Sequence, residues 1–300
     1  MSEAKAFAPG HLTGLFQICT EGNDPLLWGA RGSGVSLTRG VTTKVNAEPS
    51  DRPLYEVYIN GEEMIDAFVS ESVLSKYQQY IIEPTHITVQ HTITTPLTAG
   101  FGSSGGGALS LSLALNEALQ IGLSPVDAAQ IAHLSEIECK TGLGSVFAAV
   151  NGGFGVLYEP GAPGIGKGIM MEDTSDLAVV YVYYGPIHTK EALSNPDLVK
   201  KINQLGRTYV DELYKELTAE RFMYYSRKFT DHVGLATKRI RDLFKQMDKR
   251  GLTFTMANFG EVAFTVQHLE KAEKAFNLLR EIGEEPVQCS IDEHGARLIE

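Results

Sequence analysis

From Pro96 the chain reads Pro96-Leu97-Thr98-Ala99-Gly100-Phe101-Gly102-Ser103-Ser104-Gly105-Gly106-Gly107. Glycines let the backbone bend so that successive N–H groups point inwards and form a nest for an anion. Ala108, Leu111, Leu115, Ala118 and Leu119 then recur at helical spacing, so a helix opens directly from the loop. Its first turn adds unpaired amides and the positive end of a dipole. The serine hydroxyls can bond phosphate oxygens or the shell of a Mg2+ ion. A flexible turn or tight helix packing would also use glycine, but serines and glycines at the head of so apolar a helix favour phosphate binding.

Two other phosphate motifs are nearly spelled. Gly100-x-Gly102-x-x-Gly105 matches the dinucleotide fingerprint, yet Pro96 to Ala99 separates it from any strand, and no strand ending in an acid follows about 20 residues on. Gly161-Ala162-Pro163-Gly164-Ile165-Gly166-Lys167 approaches a P-loop, but Gly168 stands where a Ser or Thr should hold the metal. Both motifs are rejected; a nucleotide-dependent oxidoreductase stays open as a rival class that would need the first to be a true fingerprint, and absence of NAD binding would dispose of it.

A chain of 300 residues, 43% apolar, has material for one large or two medium domains. The net charge of −11 disfavours nucleic acid and anionic lipid as partners. Cys19, Cys139 and Cys289 are few and far apart, which suggests buried free thiols in a reducing compartment. With no signal-like N-terminus and no apolar stretch long enough to span a bilayer, a cytoplasmic protein without a membrane partner is expected. Short strands are expected at Lys5–Ala8, Leu15–Thr20, Gly34–Val45 and Leu54–Ile59, a helix over Glu62–Tyr80, and an alternating strand over Ile87–Ile93. Ser124-Pro125 starts a helix that ends near Lys140. The second half opens on a buried strand, Leu177–Tyr184. Helices over Pro196–Leu217, Ala219–Phe229, Leu235–Lys249 and Leu269–Ile282 then mix with strands at Thr253–Ala257, Val262–Val266 and Val287–Ile291. This order indicates α+β, divided near residue 168.

The Pro96–Ala108 segment resembles the second signature of the GHMP kinases. Ala8-Pro9-Gly10-His11 resembles their first signature, and a degenerate third falls at Phe254–Val266. Among them the chain resembles the archaeal pantoate kinases over nearly its whole length. The matching segments include Arg31-Gly32-Ser33-Gly34, Gly142-Leu143-Gly144 and Gly185-Pro186-Ile187-His188-Thr189. The resemblance implies a GHMP kinase fold. Residues 1–168 would form a ribosomal-protein-S5-like domain for ATP and Mg2+, and residues 169–300 a ferredoxin-like domain closing the substrate cleft. ATP would contact Pro96, Gly100, Gly102, Ser103, Ser104, Gly105 and Gly106. Ser104 and Glu136 would hold Mg2+. His133, one helical turn before Glu136, would contact substrate, as would His11, Arg31 and Thr189. Glu138 would be a surface residue.

Two departures bear on the substrate. Where the family has an aspartate after Gly142-Leu143-Gly144, this chain has Ser145; where it has an arginine for the pantoate carboxylate, the chain has Leu157. A positioned base is worth roughly 10²–10⁴ in rate, but phosphoryl transfer depends chiefly on positioning and charge neutralisation. The expectation is therefore an ATP- and Mg2+-dependent kinase of a small branched hydroxy acid, with Ser104, Glu136 and Ser145 as catalytic residues. Mevalonate 3-phosphate, phosphorylated at its 5-position in archaeal isoprenoid synthesis, comes first. Pantoate, on the route to coenzyme A, comes second, and a non-catalytic nucleotide-binding relative third. A homodimer is left open.

Overall fold

The computed structural model describes residues 2–186, 195–258 and 260–300. Its spine is an antiparallel pair, β1 (Ser2–Cys19) and β2 (Gly29–Pro49), matched along almost their whole length. The three short strands expected there are pieces of these two. Glycines that read as turns lie inside the strands, because neighbours approach too closely for a side chain. A Cβ on Gly14 would strike the Phe222 ring, and one on Gly32 would sit 2.9 Å from the Leu15 carbonyl. The ladder shifts register at Pro9/Gly10 and again at Thr13/Leu15, the kind of irregularity that accommodates a strand proline. Before the shift Ala4, Ala6 and Ala8 are buried in one cluster; beyond it Leu12 and Leu15 join another. His11 and Thr13 are left facing a cavity.

The rest of this eight-stranded sheet follows the order β12-β1-β2-β5-β3-β4, with β6 on the far end of β2 and β7 on β6. Here β3 is Leu54–Ile59, β4 Glu62–Glu63, β5 Thr85–Ile93, β6 Phe154–Glu159, β7 Lys167–Met170 and β12 Arg297–Ile299. The helix expected from Glu62 begins only at Phe68 (α1, Phe68–Tyr77). Asn60-Gly61, both with positive φ, instead turns β3 back into β4, which is the residue pair a two-residue hairpin favours. Helices α2 (Ser103–Ala118), α3 (Pro125–Cys139) and α4 (Ser145–Asn151) follow. Ser124 caps α3 by accepting from the Asp127 amide, as expected from Ser124-Pro125. The α2 sequence carries alanine and glycine where it meets the sheet, so the cluster is built from Ala4, Ala6, Ala108, Leu111 and their neighbours.

The second sheet has the order β11-β8-β10-β9, with β8 Leu177–Pro186, β9 Thr255–Met256, β10 Gly260–His268 and β11 Val287–Cys289. β8 is apolar on both faces. Ala178, Val180 and Val182 pack with α7 (Lys238–Asp248) and α8 (Leu269–Glu281), while Val179 and Tyr181 pack towards α5 (Pro196–Lys215), α6 (Ala219–Val233) and the first sheet. The architecture is α+β. The division expected at residue 168 does not follow the sheets: β7 runs across that residue, and β12 returns the chain end to β1. Thr189 lies outside the described residues. All three cysteines are free, as expected, but each is half-buried, not enclosed.

Candidate active site

The glycine loop borders a cavity of about 1000 Å3, at the upper end of the range for small-molecule sites and large enough for two ligands. Three contacts hold the loop. The His11 amide donates to the Phe101 carbonyl at 2.8 Å. Gly100, at φ +78°, lies against the Asn258 carbonyl with no room for a Cβ, and Asn258 Nδ2 donates to the Thr13 carbonyl at 2.9 Å. Gly102 is left-handed at φ +65° and starts α2 without a side-chain cap.

The first ladder bond of α2 runs from the Gly106 amide to the Gly102 carbonyl, 2.9 Å. Among the described residues the amides of 103, 104 and 105 find no acceptor, which is the orphan set an anion can satisfy. Gly100, Gly102, Ser103 and Ser104 line the cavity. The other expected ATP contacts have different work. Pro96 precedes the loop and is not part of the lining, the Gly106 amide is committed to the helix, and Gly105 and Gly106 allow close packing. A Cβ on Gly106 would press on Val41, and one on Gly105 would lie 2.8 Å from Ser145 Cβ.

Glu136, in α3, points into this helix end and is 1% exposed. Its Oε2 accepts from Ser104 Oγ at 3.2 Å and Ser145 Oγ at 2.9 Å, and its Oε1 from Thr141 Oγ1 at 2.6 Å. Burial raises its pKa, and the three hydroxyls pull it back down. Hydroxyl donors alone do not neutralise a buried carboxylate, which a cation bound beside it would do. Neighbouring ligands of octahedral Mg2+ at about 2.0–2.1 Å stand roughly 3 Å apart, close to the Ser104–Glu136 separation. The residues therefore fit a Mg2+ ion. Among the described residues no group of three or more His, Cys, Asp or Glu is assembled for a metal. Mg2+ is commonly shared between one or two carboxylates and substrate phosphates.

The remaining expected site residues separate. His11 lines the cavity, its Nδ1 3.2 Å from Ser36 Oγ, and burial lowers its pKa to about 4. It is therefore a neutral hydrogen-bonding group, not a fixed cation. His133 lies outside the lining. It is buried, with Nε2 3.2 Å from the Pro25 carbonyl, and burial lowers its pKa. Helical spacing placed it beside Glu136, but its ring turns to the Pro25–Trp28 loop. Arg31 is also outside the lining, bonded to the Tyr158 carbonyl at 2.7 Å, to Gln17 Oε1 at 2.9 Å and to Asp211. It ties β2 and β6 to α5. Arg31→Ala should thus destabilise by about 2 kcal/mol while the acceptor KM stays within about twofold of the parent. Thermal melts and initial rates check the two halves. Leu157 lines the cavity with Phe16, Ala30, Phe147 and Met170.

Two contributors escaped the sequence reading. Thr141 only follows the expected helix end near Lys140, yet it clamps Glu136. His91 looked like one residue of an alternating strand. Its ring nitrogens meet Thr43 Oγ1 at 2.7 Å and Ser70 Oγ at 3.0 Å, and Thr43 meets Ser110, which bonds the Gly106 carbonyl. Burial lowers its pKa to about 4. This chain of hydroxyls ties α1 to the first turn of α2. The near P-loop at Gly161–Lys167 is structural: the Ala162 amide bonds the Leu26 carbonyl at 2.8 Å, and the loop braces the Pro25–Trp28 segment.

Residues 66–153 match the model of the GHMP kinases N terminal domain. The chain is 34% identical over 289 residues to a pantoate kinase of Thermococcus kodakarensis, covering 93% of this chain and 92% of that one. It is 31% identical over 285 residues to a pantoate kinase of Methanocaldococcus jannaschii, covering 95% and 99%. A solved structure described as a phosphotransferase related to the CoA biosynthesis pathway superposes with a TM-score of 0.90 at 31% identity, over 99% of this chain and 98% of that one. With an uncapped glycine-rich helix end facing a buried acid, and relatives aligned nearly end to end, the chain belongs to the GHMP kinases, ATP- and Mg2+-dependent phosphotransferases acting on a hydroxyl group.

Proposed function

We propose that the acceptor is mevalonate 3-phosphate, phosphorylated on its primary hydroxyl. The observation that carries this is the place of Ser145. Its Oγ lies 2.9 Å from Glu136 Oε2, so an aspartate here would set two carboxylates at contact distance beside the transferring phosphate. Serine removes one negative charge, which matters most for an acceptor that brings a phosphate of its own. Leu157 and its apolar neighbours suit the methyl-bearing branched carbon of either acid, and Leu157 does not discriminate between them, since both also carry a carboxylate. Pantoate is the second reading, supported by the activity named for the two relatives.

In either case the acceptor oxygen attacks the γ-phosphorus in line and the bond to the β-phosphate breaks, releasing ADP. Mg2+ bound by Ser104 and Glu136 would neutralise charge on the phosphates. Ser145 donates its proton to Glu136, so its lone pairs are free to accept the acceptor's O–H and orient it. Serine does not take the proton, which passes to the phosphoryl oxygens. Ser145→Ala should therefore cost no more than about tenfold in kcat, against roughly 10²–10⁴ for loss of a true base. Incubation with MgATP and each acid separately, read by phosphorus NMR, should show transfer to mevalonate 3-phosphate and not to pantoate. The reverse outcome would establish the second reading. Transfer to neither acid would point to a nucleotide-binding relative without this chemistry.

A further inference from the structure

Lys140 is the only Lys or Arg among the described residues that line the cavity, although the cavity must hold a polyphosphate and an acid. The other cationic candidates are spent: Arg31 is paired with Asp211, and His11 is neutral. Lys140 forms no ion pair among the described residues. The carboxylate nearest in sequence, Glu138, is taken by Lys76 and Ser72.

The backbone fixes where this lysine starts. Lys140 ends α3 in the left-handed region, φ 57° and ψ 39°, its amide bonded to the Ile137 carbonyl at 3.2 Å. That position favours glycine, and a lysine there carries a strain of about 1 kcal/mol. Strain of this kind tends to persist at functional sites. The residue before it, Cys139, touches the Phe68 carbonyl with Sγ at 3.6 Å, at the α1 end of the cavity. The residue after it, Thr141, bonds Glu136 through both its amide and its hydroxyl. Lys140 thus lies in the chain between a residue that touches α1 and one that clamps Glu136, and it lines the cavity they border.

We propose that Lys140 holds the β- and γ-phosphate oxygens of the bound nucleotide, as the positive side chain of a site whose other donors are backbone amides and hydroxyls. This rests on the ATP-dependent reading of the same cavity. A charge-assisted bond to phosphate is worth roughly 10–100-fold in affinity.

The test is calorimetric titration of the full chain with AMP, ADP and a non-hydrolysable ATP analogue, for the parent, Lys140→Gln and Lys140→Arg. Lys140→Gln should weaken ADP and the ATP analogue by about 10–100-fold and leave AMP within about twofold, and Lys140→Arg should recover most of the loss. Unchanged binding of the ATP analogue by Lys140→Gln overturns the proposal. So does an equal loss for AMP, which would be an effect on the fold or the base end. The parent is titrated first: if it binds no nucleotide, the kinase reading itself fails, and that result is distinct from a defect in the variant alone.

Discussion

Glu136→Gln should lower kcat by about 10³-fold or more while the protein stays folded. The substitution keeps the shape of the side chain and exchanges a charge for a dipole. What it removes is the one carboxylate buried beside the orphan amides of α2, with its Oε2 3.2 Å from Ser104 Oγ. The metal-free variant should be at least as stable as the parent, because it no longer buries a charge whose only partners are hydroxyls. Mg2+ should stabilise the parent in the presence of nucleotide and do far less for the variant. Initial rates across Mg2+ concentrations, with melts run in parallel, measure both. Full Mg2+-dependent turnover in the variant would falsify the assignment of the acid.

The same carboxylate sets a pH dependence with a definite sign. Burial raises its folded pKa, so the folded state keeps this proton at a pH where the unfolded chain has released it. Stability of the metal-free protein from this group is therefore greatest at low pH. It declines as pH rises from the ordinary carboxylate range through the raised folded value. Mg2+ affinity runs the other way and falls as the acid protonates. The difference between parent and Glu136→Gln melting temperatures, followed against pH without metal, isolates the group. A parent that gains stability relative to the variant on going from acid to neutral pH would contradict the burial argument.

Much of this site was legible because loops and caps announce themselves locally. The glycine–serine run, the helix opening from it, and the Ser124-Pro125 start of α3 are set by residues within a few positions of one another. What was not legible depends on contacts distant in sequence. Arg31 looks like a substrate cation until Asp211, 180 residues away, is seen to take it. His133 shares a helical face with Glu136, yet the ring's partner is the Pro25 carbonyl, 108 residues earlier. Glycines at 14 and 32 look like turns, since nothing nearby in sequence reveals that Phe222 or the facing strand needs the space. Two local features are the exceptions: Thr141, five residues from Glu136, and Asn60-Gly61, whose hairpin takes the place of the first turns of the expected helix. The last strand, Arg297–Ile299, has only three residues, too short for a periodicity to show.

Gly105→Ala should cost about 10²-fold or more in kcat, whereas Gly107→Ala, two residues on in the same helix, should leave the nucleotide-free fold intact or firmer. A Cβ on Gly105 would come within 2.8 Å of Ser145 Cβ and 3.1 Å of Glu136 Oε2. These neighbours belong to a buried, hydrogen-bonded cluster and are not free to swing aside. Either α2 shifts into the cavity or Ser145 and Glu136 are pushed back, and both movements part Ser104 from the acid. Overpacking of this kind costs about 1–3 kcal/mol in stability, so Gly105→Ala should melt earlier as well as turn over slowly. At Gly107 the nearest atom to an added Cβ is His91 Cε1 at 3.9 Å, an ordinary contact. There alanine gains helix propensity of roughly 0.8–1.0 kcal/mol over glycine, and the nucleotide-free melting temperature should hold or rise. The pair separates two meanings of a glycine-rich loop. If both variants lose turnover and both keep their melting temperature, the glycines serve only the approach of phosphate. If Gly105→Ala alone fails in both measurements, the packing of Gly105 on Ser145 and Glu136 is what sets the reactive geometry.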